Sequence, residues 1–235
     1  MRMGLWDRAS RARRSMSDMW VFGYGSLMWR PGFAYDDVRP ATLTGYRRCF
    51  CIFSVHHRGS AERPGLVLGL DRGGVCHGMA FRVAPDRVAA TLAYLRAREQ
   101  VNGVYREAQL GVRLDGGVHV KGLAYLAERE HPSYAGRLPI AQQAALIRAA
   151  RGLSGTNLDY LVSTLEQLAA LGIRERELER VLVAAGPMFG RGAGTGGFGA
   201  RSRGLVQTLR PEAVGAPVMP RTARKRFMHR QRVKA

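Results

Sequence analysis

Two places in the chain carry residue types whose spacing suits chemistry on a small polar substrate. One is the loop Gly23-Tyr24-Gly25-Ser26-Leu27-Met28, and the other is Glu99. Val21 and Phe22 suit a pleated, half-buried strand, but Gly23, Gly25 and Ser26 follow at once and are poor strand residues. Glycines at such a point mark a backbone that turns through positive φ or that something must approach closely. A dinucleotide-binding loop needs a third glycine where Met28 stands, so that reading fails. A serine-hydrolase elbow needs glycines two residues either side of the serine, and Ser26 has Tyr24 and Met28 there. Two readings remain open. The loop is either a concavity of backbone amides that holds an anion beside the Ser26 or Tyr24 hydroxyl, or a tight structural turn with buried aromatics.

Glu99 stands out by its position. Val88, Leu92 and Leu95 are spaced by four and three, which draws one core-facing stripe on a helix, and the next step of four lands on Glu99. Arg96 and Arg98 take the solvent-facing angles. A carboxylate on such a stripe is costly to bury unless paired or protonated. Desolvation and the negative end of the helix dipole both push its pKa up, which suits a general base that later returns the proton. The alternatives are a buried ion pair with Arg47, Arg82 or Arg106, or a frayed helix end that leaves Glu99 in water. An amide-lined loop and one isolated acid-base group together suit a small amino-acid-like substrate and require neither a protein nucleophile nor a metal.

The elements that must position these residues begin with the strand before the loop. A long β segment over 41–54, the loop 55–65 and the strands "LVLGL" and "VCHGMAFRV" follow, the last two separated by a turn at "DRGG". Pro85 and Asp86 open the helix that ends at Glu99. Two further strands, 104–114 and 118–127, are joined by "DGG", a hairpin-type turn. Apolar periodicity predicts three closing helices over 139–151, 157–171 and 174–185. Strands precede helices and hairpin turns outnumber βαβ units. The predicted class is therefore α+β, a small mixed, mostly antiparallel β-barrel with flanking helices in one domain over residues 19–185.

The 235 residues carry a net charge of +19, but the charge sits at the ends. Residues 1–17 hold five arginines and one aspartate, +4; residues 186–235 hold eleven Lys or Arg and one Glu, +10; the body keeps +5. The N-terminal extension 1–18 and the Gly/Arg-rich tail 186–235 lack apolar periodicity and read as disordered. Such a tail can touch nucleic acid or an anionic surface weakly, through phosphate charge and without sequence readout. No apolar run reaches the ~18 residues of a membrane helix, and the N-terminus lacks the apolar stretch of a secretory signal. Cys49, Cys51 and Cys76 are too few for a disulfide framework and point to a reducing compartment, hence the cytoplasm. The spacing of Cys49 and Cys51 with His56, His57 and His77 matches no zinc pattern, so no metal and no cofactor is expected. Alternation with Phe50 and Ile52 places the two cysteines on one face of a strand.

The strings "WVFGYGSLMWRPGF", "ERPGLVLGLDRGG", "LAYLRARE" and "YAGRLP", in this order and spacing, resemble the ChaC family of γ-glutamylcyclotransferases. The resemblance runs from about Met19 to about Ala185. It implies a small mixed barrel with surrounding helices, and cleavage of glutathione to 5-oxoproline and cysteinylglycine. It maps the substrate-binding loop onto Tyr24, Gly25, Ser26 and Leu27, with Gly23 and Met28 adjoining. It maps the catalytic glutamate onto Glu99, through Tyr94, Leu95 and Arg98 of the same motif. By the same resemblance no cofactor is needed, because the α-amine of the γ-glutamyl group is itself the nucleophile. Tyr105 and Tyr160 as hydroxyl donors, and Arg63 as a partner for the glycyl carboxylate, are further candidates. Other γ-glutamyl amino acids or amines as substrates, and a non-catalytic binding module with a nucleic-acid-binding tail, are the alternatives.

Overall fold

The computed structural model describes residues 18–100 and 102–186. Residues 1–17 and 187–235, which hold nearly all of both basic ends, lie outside the described residues. The described chain forms β1 (Met19–Gly23), β2 (Asp37–Ser54), β3 (Gly65–Val83), α1 (Val88–Glu99), β4 (Tyr105–Leu114) and β5 (His119–Ala127). Then come α2 (Ile140–Ala149), the short strands β6 (Arg151–Gly152) and β7 (Gly155–Thr156), α3 (Asn157–Ala170) and α4 (Arg176–Ala185). Strands β1 to β5 close a mixed barrel in the order β1-β3-β2-β4-β5. β1 runs antiparallel to β3 and parallel to β5, while β4 runs antiparallel to β2 and β5. The sheet is thus mostly antiparallel, as the sequence predicts. No described helix is long and apolar enough to cross a membrane.

Two strands differ from expectation. β3 is continuous through "DRGG", where the sequence predicts a turn. Asp71 is buried there and accepts hydrogen bonds from Arg47 at 3.2 Å and Arg129 at 2.8 Å, so the polar stretch is satisfied inside the sheet. In β2, Cys49 and Cys51 share one face as expected, and Phe50 and Ile52 on the other are buried too, so here the difference is only that the strand is covered on both faces.

The residues fall into two compact units. The first comprises the chain up to Arg48 together with Leu70–His131, and the second comprises Cys49–Gly69 and the chain from Pro132. Phe22, Met28, Phe81, Leu95 and Tyr125 fill the core of the first. Phe50, Leu66, Ile147, Leu161 and Leu168 fill that of the second. There, fully buried Asn157 accepts from the Leu66 amide at 2.6 Å and donates to its carbonyl at 2.7 Å, tying the start of α3 to β3. Thr156 caps α3 by accepting from the Asp159 amide at 3.0 Å. The loop and Glu99 both belong to the first unit.

Candidate active site

The loop leaves β1 at Gly23 and at once forms a 3-10 turn over Ser26–Met28. The Met28 amide donates to the Gly25 carbonyl at 2.9 Å and the Arg30 amide to that of Ser26 at 2.8 Å. Tyr24, Leu27 and Met28 are buried and anchor the turn, while Ser26 stays exposed. The amides of Ser26 and Leu27 open the turn and have no acceptor within it. Beneath the loop lies Arg48, a buried cation whose Nε donates to the Tyr24 carbonyl and whose Nη2 donates to the His77 carbonyl at 2.6 Å. Neither Gly23 nor Gly25 sits at positive φ; Gly25 has φ −130°. The constraint at Gly23 is one of space instead. A Cβ there would lie 3.2 Å from Leu27 Cβ and 3.3 Å from the Met28 nitrogen, so what comes close to this glycine is the loop itself.

Glu99 is the last residue of α1, below buried Leu95, and its side chain is 17% exposed. It does not pair with Arg47, Arg82 or Arg106, which meet Asp71, Asp18 and Glu128 instead. Its partner is Arg98, whose Nε lies 3.1 Å from Glu99 Oε1. Arg98 therefore departs from the solvent-facing role its helical angle suggests. Its Nη1 donates to the Arg30 carbonyl at 2.7 Å, and its Nη2 donates to Ser26 Oγ at 2.8 Å. The last turn of α1 lies against the loop rather than against water, and one guanidinium links Ser26 to Glu99. Burial pushes the Glu99 carboxyl above the ordinary glutamate range, and the Arg98 charge and hydrogen bond pull it partly back.

A second carboxylate lies nearby. Glu107 on β4 stands opposite Tyr125 on β5, and the Tyr125 hydroxyl donates to it at 3.0 Å. Arg96 grips Glu107 from α1 with Nε at 2.8 Å and Nη2 at 3.0 Å. These donors, Arg96 foremost, hold the Glu107 carboxyl below its ordinary range. Tyr125 is pushed well above the usual phenol range, mainly by burial and then by the Glu107 acceptor, with Glu99 adding its negative charge. Tyr125 is thus a neutral hydroxyl within electrostatic reach of Glu99.

Of the other candidates, Tyr105 opens β4 in the first unit, and Tyr160 and Arg63 belong to the second. Tyr160 packs edge-on against Phe50 and under Arg58 in the second unit. Arg63 is exposed in a turn closed by Ser60. A cavity of ≈ 220 Å³ in the first unit is lined by Asp71, Arg72, Arg106, Glu128 and Arg129 among others, and includes neither Glu99 nor the loop. Among the described residues no cluster of three or more His, Cys, Asp or Glu could hold a metal ion. All three cysteines are buried and none forms a disulfide. Sequence reasoning missed Arg48, Glu107, Tyr125 and the inward turn of Arg98. The Glu107–Tyr125 pairing depends on strand register, and only its membership of one motif with Glu99 marked Arg98.

A closed mixed barrel of this kind is the fold of solved γ-glutamylcyclotransferases. A crystal structure of the yeast cyclotransferase specific to glutathione superposes with a TM-score of 0.65 at 23% identity, over 72% of this chain and 96% of that one. The ChaC-like protein family matches residues 19–185, and the chain belongs to it. The glutathione-specific γ-glutamylcyclotransferase of Escherichia coli K12 is 34% identical over 77% of this chain and 82% of its own length. Human glutathione-specific γ-glutamylcyclotransferase 1 is 39% identical over 73% of this chain and 80% of its own.

Proposed function

We propose that the protein is a glutathione-specific γ-glutamylcyclotransferase that releases 5-oxo-L-proline and L-cysteinylglycine, with Glu99 as general base and then general acid. Family membership and the names of its relatives support the reaction class. The observation that carries the role of Glu99 is its burial with a raised pKa, one guanidinium away from Ser26 of the loop.

In the proposed reaction the γ-glutamyl group lies along Gly23–Met28 and is held through the loop amides and the Ser26 hydroxyl. Its α-ammonium passes a proton to Glu99, and the freed amine attacks the γ-carbonyl carbon. A C–N bond closes the five-membered ring, and the developing oxyanion is stabilised by amide donors of the loop. The tetrahedral centre then expels the cysteinyl nitrogen as Glu99 returns the proton to it; the ring nitrogen sheds its second proton as the lactam forms, and that proton ends on the released amine, which departs as an ammonium. Water is not consumed. Fixing an intramolecular attack geometry can supply on the order of 7 kcal/mol of barrier reduction, and the positioned carboxylate ~10²- to 10⁴-fold in rate. A chain poised for this reaction needs no metal or cofactor.

Three cysteines outside any disulfide fit a reducing, cytoplasmic setting. The basic tail would add at most a loose, salt-sensitive contact with nucleic acid or anionic surfaces. The test of function is to incubate purified protein with glutathione and, separately, with γ-glutamylalanine, and to assay 5-oxoproline. Release from glutathione with little from γ-glutamylalanine is expected. Equal release from both would make the protein a broader γ-glutamyl cyclotransferase, and none from either would overturn the reading.

A further inference from the structure

Five acceptors converge on one guanidinium at the end of α1. Arg98 Nη1 donates to the carbonyls of Arg30 at 2.7 Å and Pro31 at 3.2 Å and to Tyr94 Oη at 3.0 Å; Nη2 donates to Ser26 Oγ at 2.8 Å; and Nε lies 3.1 Å from Glu99 Oε1. The Arg98 side chain is 23% exposed, so these contacts are partly shielded from water. A planar fork with five N–H donors can face two sides at once; a lysine ammonium is a single point on a flexible stem. Gly32 gives independent support for the docking of this segment on α1. It sits at φ 74°, and a Cβ there would fall 1.9 Å from Tyr94 Oη, so the loop backbone lies directly on the helix. Phe33 packs edge-on against the Tyr94 ring with centroids 6.4 Å apart.

We infer that Arg98 is a positioning residue for ring closure: it locks the Ser26 side of the loop and the Glu99 carboxylate into one arrangement, so that a γ-glutamyl group held by the loop presents its amine to the base. This rests on the cyclotransferase reading above. Arg98 forms and breaks no bond in the reaction; it acts through the loop and through Glu99. Its charge also restrains the Glu99 carboxyl from rising further, with neutral Tyr125 on β5 as the facing titratable group.

The test compares wild type, Arg98→Ala, Arg98→Lys, Ser26→Ala and the double variant Ser26→Ala/Arg98→Ala on glutathione, reading kcat, KM, the pH profile and Tm. Arg98→Ala is expected to lower kcat/KM by ~10²-fold, the cost of a misplaced reacting group, and to move the acid limb of activity to higher pH because Glu99 loses its cation. Arg98→Lys should return the limb toward its wild-type position while kcat/KM stays low, since the charge is restored and the fork is not. Ser26→Ala should cost less, and its effect should shrink in the Arg98→Ala background. An Arg98→Ala protein with wild-type kcat, KM and limb overturns the role, as does a loss that follows Tm alone and is fully repaired by lysine. Should the alanine variant fail to fold, Arg98→Lys and Ser26→Ala decide: normal kcat/KM in both overturns the role. A wild type that releases no 5-oxoproline overturns the cyclotransferase reading and this role with it, whereas an active wild type with unaltered variants overturns this role alone.

Discussion

Glu99 and Glu107, the first set deeper in the protein than the second, each meet an arginine of the same helical turn, Arg98 and Arg96. Their carboxyls nevertheless move in opposite directions, Glu99 up and Glu107 down. Glu107 receives two nitrogens of Arg96 and the Tyr125 hydroxyl, all of which favour its ionised form. Glu99 receives one nitrogen from an arginine whose other donors are committed to the loop, and desolvation prevails. An ion pair on a helix thus says little about a carboxylate until the donors are counted. On the proposed reading Glu99 carries a proton, while Glu107 ties β4 to β5 and to the helix.

The largest effect that would break this contrast is on rate. Glu99→Gln should lower 5-oxoproline release by ~10²- to 10⁴-fold, because the amide keeps size and hydrogen-bonding capacity but cannot shuttle a proton. Glu107→Gln should leave the rate close to wild type. Comparable losses in both variants, measured as kcat on glutathione, would erase the distinction.

A smaller effect concerns the loop that Arg98 touches through Ser26. Gly23→Ala crowds Leu27 Cβ and the Met28 nitrogen, so the loop must shift by tenths of an ångström. A drop in kcat/KM of about tenfold is expected, below the ~10² that a 1 Å displacement can cost. Steady-state kinetics beside Tm would show it, and unaltered kinetics would mean that the loop does not hold the substrate.

The smallest effects are in stability and have opposite pH dependence. Ionising Glu99 costs stability as pH rises from the unfolded glutamate value of about 4.3 through its raised folded value, so the Tm gain of Glu99→Gln should grow across that window. Glu107 contributes stability above the same unfolded value and loses it as pH falls through its lowered folded value. The small Tm deficit of Glu107→Gln should therefore fade in acid. Thermal melts of both variants over pH check the two signs together, and parallel curves would contradict them.

Much of this architecture was legible in the sequence because the clues are local. The step from Leu95 to Glu99, the glycines around Tyr24 and the hairpin turn at Asp115–Gly117 each lie within one element or turn. What escaped depends on distance along the chain. Asp71 looked like a turn residue because Arg47 and Arg129 are far from it in sequence. Arg98 looked solvated because helical angle cannot reveal that the loop covers that side. Gly23 looked like a bend, and its reason is contact with Leu27 and Met28, which no propensity scale records.

The pH dependence of kcat/KM for 5-oxoproline release from glutathione, measured in wild type and in Glu107→Gln, tests most directly whether Glu99 is the proton carrier. Activity should fall as pH drops through a single acid limb above the ordinary glutamate range, and that limb should move little in Glu107→Gln. A limb at or below the ordinary range, or one displaced as far by Glu107→Gln as by changes at Arg98, would contradict the assignment of Glu99.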